Sequence, residues 1–138
     1  MKIFKVLSIA LALSMGFGVA SAPVWAEGDV KRGSKVFKKC KACHKLTAKK
    51  AIGPGLLGMF GRKAGTVAKF RYSKDMKAAG EKGLVWNDET FLAYIKKPKK
   101  FIGSIIGKKK AKTRMAFNGL RKEKDRVNLL AYLKQATK

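Results

Sequence analysis

Cys40-Lys41-Ala42-Cys43-His44 is the place in the chain where residue types and spacing could do chemistry together. Two thiols three positions apart sit on one turn of chain and can each add to a vinyl group of the same porphyrin. The imidazole that follows then falls beneath the iron, which makes C-x-x-C-H an attachment signature for c-type haem. The competing readings are weaker. A redox dithiol of the thioredoxin kind expects a strand before it and a parallel sheet around it, and the flanking sequence shows neither. A structural zinc needs four ligands, and the 138 residues hold two Cys and one His, all three inside this pentapeptide. The reading that remains is one haem c, bound covalently through Cys40 and Cys43, with His44 on the iron.

No second His exists to fill the sixth iron position. A Met thioether is a common alternative and raises the potential. Met1 and Met15 fall in an N-terminal segment described below, leaving Met59, Met76 and Met115. Met59 follows His44 closely in a Gly-rich stretch. Met76 falls in a short amphipathic helix, where Met more often fills core volume. Met115 sits in Thr113-Arg114-Met115-Ala116-Phe117, in a loop that can swing across the far haem face. Spacing favours Met115 without excluding the other two.

These groups must be held by helices. Asp29 is an N-cap for a helix over 30–40. Ser73 and Gly80 bracket a short helix. Asn87-Asp88-Glu89 opens another, with Phe91, Leu92, Tyr94 and Ile95 as its apolar face and Pro98 as its end. A last helix spans 122–136, with Leu129, Leu130 and Leu133 in its buried stripe. Residues 45–70 carry Gly53, Gly55, Gly58, Gly61 and Gly65 and no clear period, so they read as turns wrapped against something. The chemistry-bearing part is one all-α domain with long loops.

The N-terminus reads separately. Lys2 and Lys5 precede an apolar stretch over 6–20, and Val24 and Ala26 stand at the −3 and −1 positions of a cleavage site. Residues 1–26 are a secretory signal peptide, and the mature domain is 27–138. The apolar stretch is shorter than the ~20 residues of a membrane span. Export suits haem c, which is attached outside the cytoplasm. The full chain has 33 Lys+Arg against 8 Asp+Glu, a formal charge of +25, which loss of Lys2 and Lys5 reduces to +23. Such a balance calls for an anionic partner.

In this order the residues resemble a class I cytochrome c, in the group of mitochondrial cytochrome c and bacterial cytochrome c2. The resemblance runs over residues 28–138. It is carried by Gly28-Asp29, Gly33, Phe37 and the haem pentapeptide, then by Gly53-Pro54-Gly55-Leu56, Gly58-Met59-Phe60-Gly61-Arg62 and Phe70-Arg71-Tyr72-Ser73. Trp86, Tyr94, Pro98-Lys99-Lys100-Phe101-Ile102, Met115-Ala116-Phe117 and Leu130-Ala131-Tyr132-Leu133 complete it. It implies a fold of crossed N- and C-terminal helices, meeting at Gly33, Phe37, Leu129 and Tyr132, with Gly-rich loops around one haem. It implies Met115 as the second axial ligand with Tyr94 beside its sulfur, and the Pro54 carbonyl as acceptor for the His44 ring N–H. It also implies Tyr72, Trp86 and Arg62 around a haem propionate. The twelve residues 103–114 exceed the corresponding stretch of short mitochondrial members and lack its proline. That length resembles the bacterial cytochromes c2. It predicts a looser hold on Met115, with a lysine as competitor at high pH.

Three function classes follow. A diffusible one-electron carrier needs two protein ligands on iron and a docking face. Lysines cluster at Lys38-Lys39, Lys41, Lys45, Lys49-Lys50, Lys96-Lys97, Lys99-Lys100 and Lys108-Lys109-Lys110-Lys112. By the resemblance the segments around Cys40 and from Pro98 to Met115 flank the exposed haem edge, and their lysines would steer the protein to acidic docking sites on a bc1 complex, a terminal oxidase or a photosynthetic reaction centre, while the remoter lysines read as solvated surface. A haem enzyme or ligand sensor would need an open iron position and a distal acid–base group, and no spare His is present. A nucleic-acid-binding role suits the charge but explains neither the pentapeptide nor the export segment. The expectation is a non-enzymatic periplasmic electron carrier, monomeric, with transient association at the membrane surface and no nucleic-acid partner.

Overall fold

The computed structural model describes residues 27–138, so the signal peptide expected over 1–26 lies outside the described residues. Asp29 caps the first helix as expected, its carboxylate accepting the Arg32 N–H at 2.8 Å. This helix, α1, is Val30–Phe37 and ends short of the expected 40. Beyond it the Cys40 N–H bonds the Phe37 carbonyl at 2.8 Å and the Cys43 N–H bonds the Cys40 carbonyl at 3.0 Å. These three-residue turns are tighter than an α-helix and carry the chain through the haem pentapeptide.

The last helix, α5, is Glu123–Ala136, with Glu123 and Asp125 in its first turn and Lys134 in its last. Acids at the N-terminus and a base at the C-terminus complement the helix dipole. Its closest partner is α1. A Cβ on Gly33 would overlap the Asn128 carbonyl oxygen and come within 2.6 Å of the Tyr132 Cβ, so only glycine permits this approach. The Asp29 N–H bonds the Asn128 side-chain oxygen at 2.8 Å, and the Phe37 and Tyr132 rings pack in a tilted arrangement with centroids 5.6 Å apart.

Between them lie three shorter helices. α2 is Lys74–Glu81, capped by the Ser73 hydroxyl on the Met76 N–H at 3.2 Å. Gly80 is not its stop, as the sequence reading had it. The helix runs through Glu81, and Gly80 is glycine because a Cβ there would run into the Ala64 carbonyl oxygen. α3 is Asp88–Lys96, opened by a reciprocal capping box between Asn87 and Thr90. Pro98 ends it as expected, but Pro98 also starts a helix that the sequence reading missed, α4 over Pro98–Ile106. Proline is pre-set for the first helical position, where its missing N–H costs nothing. Gly107 closes α4 with φ 73°. Part of the segment read as a long loop is therefore helix.

The core forms two groups joined at α3. Phe91, Leu92 and Ile95 pack with Phe37, Met59 and the leucines of α5. Tyr94 packs with Met76, Ala79, Ile102 and Ala111. Met115 is half-buried and touches both groups. Ile102 and Leu129 are fully enclosed, each worth about 1.5–3 kcal/mol of burial. Among the described residues the extended structure amounts to one antiparallel bridge, Lys63 with Val85. It is flanked by Gly61 N–H to Trp86 carbonyl at 2.7 Å and Trp86 N–H to Arg62 carbonyl at 2.9 Å. This short ribbon sets Arg62 and Trp86 side by side. No helix among these residues is long and apolar enough to cross a membrane.

Candidate haem site

The elements surround one cavity of about 300 Å³, within the range of cofactor sites. Cys40, Cys43, His44, Arg62, Tyr72, Trp86 and Met115 all line it. The sequence-predicted site residues, drawn from five separate stretches of chain, thus meet in one place.

His44 is placed by its backbone and by its ring. Its N–H bonds the Cys40 carbonyl at 2.9 Å, and the Gly53 N–H bonds the Cys43 carbonyl at 2.7 Å, which folds residues 53–56 back over the pentapeptide. Nδ1 lies 3.0 Å from the Pro54 carbonyl oxygen. A carbonyl only accepts, so Nδ1 carries the proton and Nε2 keeps its lone pair for a metal. Gly53 is required here. A Cβ would stand 2.5 Å from the ring's Cε1, 2.8 Å from Nδ1 and 2.9 Å from Nε2. The two thiols are unpaired and half-buried.

Met115 lines the same cavity, and the Tyr94 hydroxyl donates to its sulfur at 3.0 Å. Burial pushes the Tyr94 hydroxyl far above the usual tyrosine range, with the neighbouring Tyr72 adding to the shift. It stays protonated and remains a donor. Trp86 packs on Tyr94 with ring centroids 4.9 Å apart.

Burial also raises the Tyr72 hydroxyl, while a hydrogen bond with the Val67 backbone and the Arg62 guanidinium pull it back. Arg62 has a use that sequence reasoning did not foresee. Its guanidinium donates to the Gly55 carbonyl at 3.2 Å and the Leu57 carbonyl at 2.7 Å, tying the Gly-rich loop to the ribbon. Met59 and Met76 also line the cavity, but each is buried in a core group. The helical placement of Met76 points to its burial, but no local pattern shows that either Met reaches the shared cavity.

The site fits a haem on chemical grounds. Two thiols, one imidazole with Nε2 free, and a thioether face an apolar space, and Gly53 leaves room for the imidazole that would bind iron. Known proteins agree. The sequence profile of the family described as cytochrome c matches residues 30–137. Cytochrome c2 of Cereibacter sphaeroides is 42% identical over 137 residues, spanning 91% of this chain and 92% of that protein. Cytochrome c of Arabidopsis thaliana is 42% identical over 120 residues, spanning 85% of this chain and 97% of that protein. The solved structure of cytochrome c2 from Rhodospirillum centenum superposes with a TM-score of 0.74 at 39% identity, covering 80% of this chain and 100% of that one.

An all-helical fold closed around a C-x-x-C-H cavity defines a class I c-type haem protein. The chain belongs to the cytochrome c family. It is a haem c electron carrier, and Cys40 and Cys43 fit the covalent attachment site.

Proposed function

We propose that this chain is the periplasmic electron shuttle of a bacterium, with residues 1–26 removed on export and 27–138 acting as a monomer. His44 and Met115 are the axial ligands of the iron. The observation that carries this reading is the pairing of two polarised donors in one cavity: the His44 ring turned by Pro54 so that Nε2 is free, and the Met115 sulfur held by Tyr94. When bound, the haem supplies the single redox centre. The chain's own residues hold it, exclude water and set its potential. Filling both axial positions leaves no site for substrate, so the protein carries electrons and does not catalyse.

Arg62, Tyr72 and Trp86 face a propionate, where a cation offsets the cost of burying a carboxylate. What supports this is their shared place on the cavity wall. The basic surface around Lys99-Lys100 and Lys108-Lys109-Lys110 docks on acidic faces of a bc1 complex, a terminal oxidase or a photosynthetic reaction centre. Steering by these charges raises the on-rate while leaving dissociation fast.

The ligand assignment is tested on purified ferric holoprotein. The methionine-to-iron charge-transfer band is expected in the parent and in Met59→Leu and Met76→Leu, and absent in Met115→Ala. A band that survives Met115→Ala overturns the assignment.

A further inference from the structure

The segment leading to Met115 has no proline to stiffen it, yet it is tied down at defined points. Gly107 ends α4, and the Lys108 N–H returns to the Gly103 carbonyl at 2.8 Å. The Ala111 N–H bonds the Lys99 carbonyl at 2.9 Å, and Ala111 is buried. The Arg114 guanidinium donates to the Arg71 carbonyl at 3.1 Å.

The remaining tie comes from α2. Asp75, in its first turn, has a side chain only 9% exposed. Its Oδ1 accepts from the Lys108 ammonium at 2.7 Å and its Oδ2 from the Lys112 backbone N–H at 2.6 Å. One nearly buried carboxylate thus grips both ends of the turn 108–112, three residues before Met115. These contacts cross 33 and 37 positions of sequence. Both acceptor oxygens are used, and a charged acceptor makes each bond stronger than a neutral one.

We infer that Asp75 is a positioning residue for the Met115 sulfur: it latches the segment 108–112 so that the thioether stays at the iron. This inference rests on the reading of Met115 as axial ligand. In a short member of this architecture a rigid backbone could serve; here a charged side chain on a different helix does so. Outer partners of metal ligands that are lost typically weaken the site about 10–100-fold.

The test measures how readily added imidazole displaces Met115 from the ferric holoprotein, followed by loss of the charge-transfer band. Asp75→Asn is expected to raise imidazole affinity about tenfold, because it removes the charge while keeping the shape. Asp75→Glu should recover part of the parent behaviour. Lys108→Gln, which leaves the bond to the Lys112 N–H, should give a smaller increase, and it decides the question if Asp75→Asn fails to hold haem. Denaturant midpoints are recorded in parallel. Unchanged imidazole affinity with a lowered midpoint means that Asp75 supports only the fold, and overturns the inference. A parent without the charge-transfer band would instead overturn the Met115 ligand assignment itself, so the two failures are distinct.

Discussion

The Tyr94 hydroxyl donates to the Met115 sulfur at 3.0 Å, joining the last turn of α3 to a loop 21 residues further along the chain. A donor on the thioether withdraws electron density from it. With Met115 on the iron, this favours the reduced state. Tyr94→Phe is therefore expected to lower the reduction potential. A hydrogen bond of about 1 kcal/mol sets the upper size of the effect, some tens of millivolts for one electron. Equilibrium redox titration of the two proteins reads it, and an unchanged or higher potential refutes it. The same variant bears on alkaline stability. Burial raises the Tyr94 hydroxyl above its ordinary value of 10.0. Its contribution is then fully present below that value and is lost as pH rises toward the folded-state value. The parent should lose stability above about pH 10 more steeply than Tyr94→Phe.

Gly53 stands against the His44 ring, with an added Cβ only 2.5 Å from Cε1. Gly53→Ala must push either the ring or the 53–56 turn, and both carry the Nδ1 contact with Pro54. Overpacking of this kind costs about 1–3 kcal/mol. Denaturation of the holoprotein should show the loss, together with an altered haem spectrum. A variant matching the parent in both would mean that the turn yields freely.

Asp75 gives a prediction at acid pH. The Lys108 ammonium, hydrogen-bonded to its carboxylate, holds its pKa below the ordinary 3.8, and the Lys112 N–H adds to this against the opposing effect of burial. A depressed folded-state value means stability that is present above the unfolded value and lost as pH falls through the folded one. Asp75→Asn should be less stable than the parent at neutral pH, and the gap should close below about pH 4. Denaturant midpoints across that range decide it. A gap that stays constant on acidification argues against an ionised Asp75 as the source.

Lys99 and Lys100 open the basic stretch on α4, and Lys100 is exposed. Changing both to Glu is expected to slow second-order electron transfer to a purified oxidase or reaction centre by about tenfold at low salt. The difference should shrink as salt screens the charges. The haem spectrum should stay the same. Equal rates for variant and parent would remove this patch from the docking face.

The sequence by itself determined the chemistry and most of the scaffold. C-x-x-C-H is local, so five consecutive residues announce the haem. Asp29, Ser73 and Asn87 announce three helix starts because a cap acts on the next turn of its own chain. The ordered resemblance then named Met115, Pro54 and Tyr94, and all three line one cavity, Pro54 against the His44 ring and Tyr94 against the Met115 sulfur. What only the tertiary structure decided depends on distant backbone. Pro98 reads equally well as the end of one helix or the start of the next, and it is both. Gly80 resembles a helix stop until the Ala64 carbonyl is seen against it. Arg62 binds loop carbonyls as well as facing the cavity. Asp75, an ordinary acid in a short helix, becomes a latch only when α4 and the turn after it fold across α2. No local pattern records that contact, because its partners lie more than thirty residues away and are a lysine among many and a backbone N–H that every residue but proline possesses.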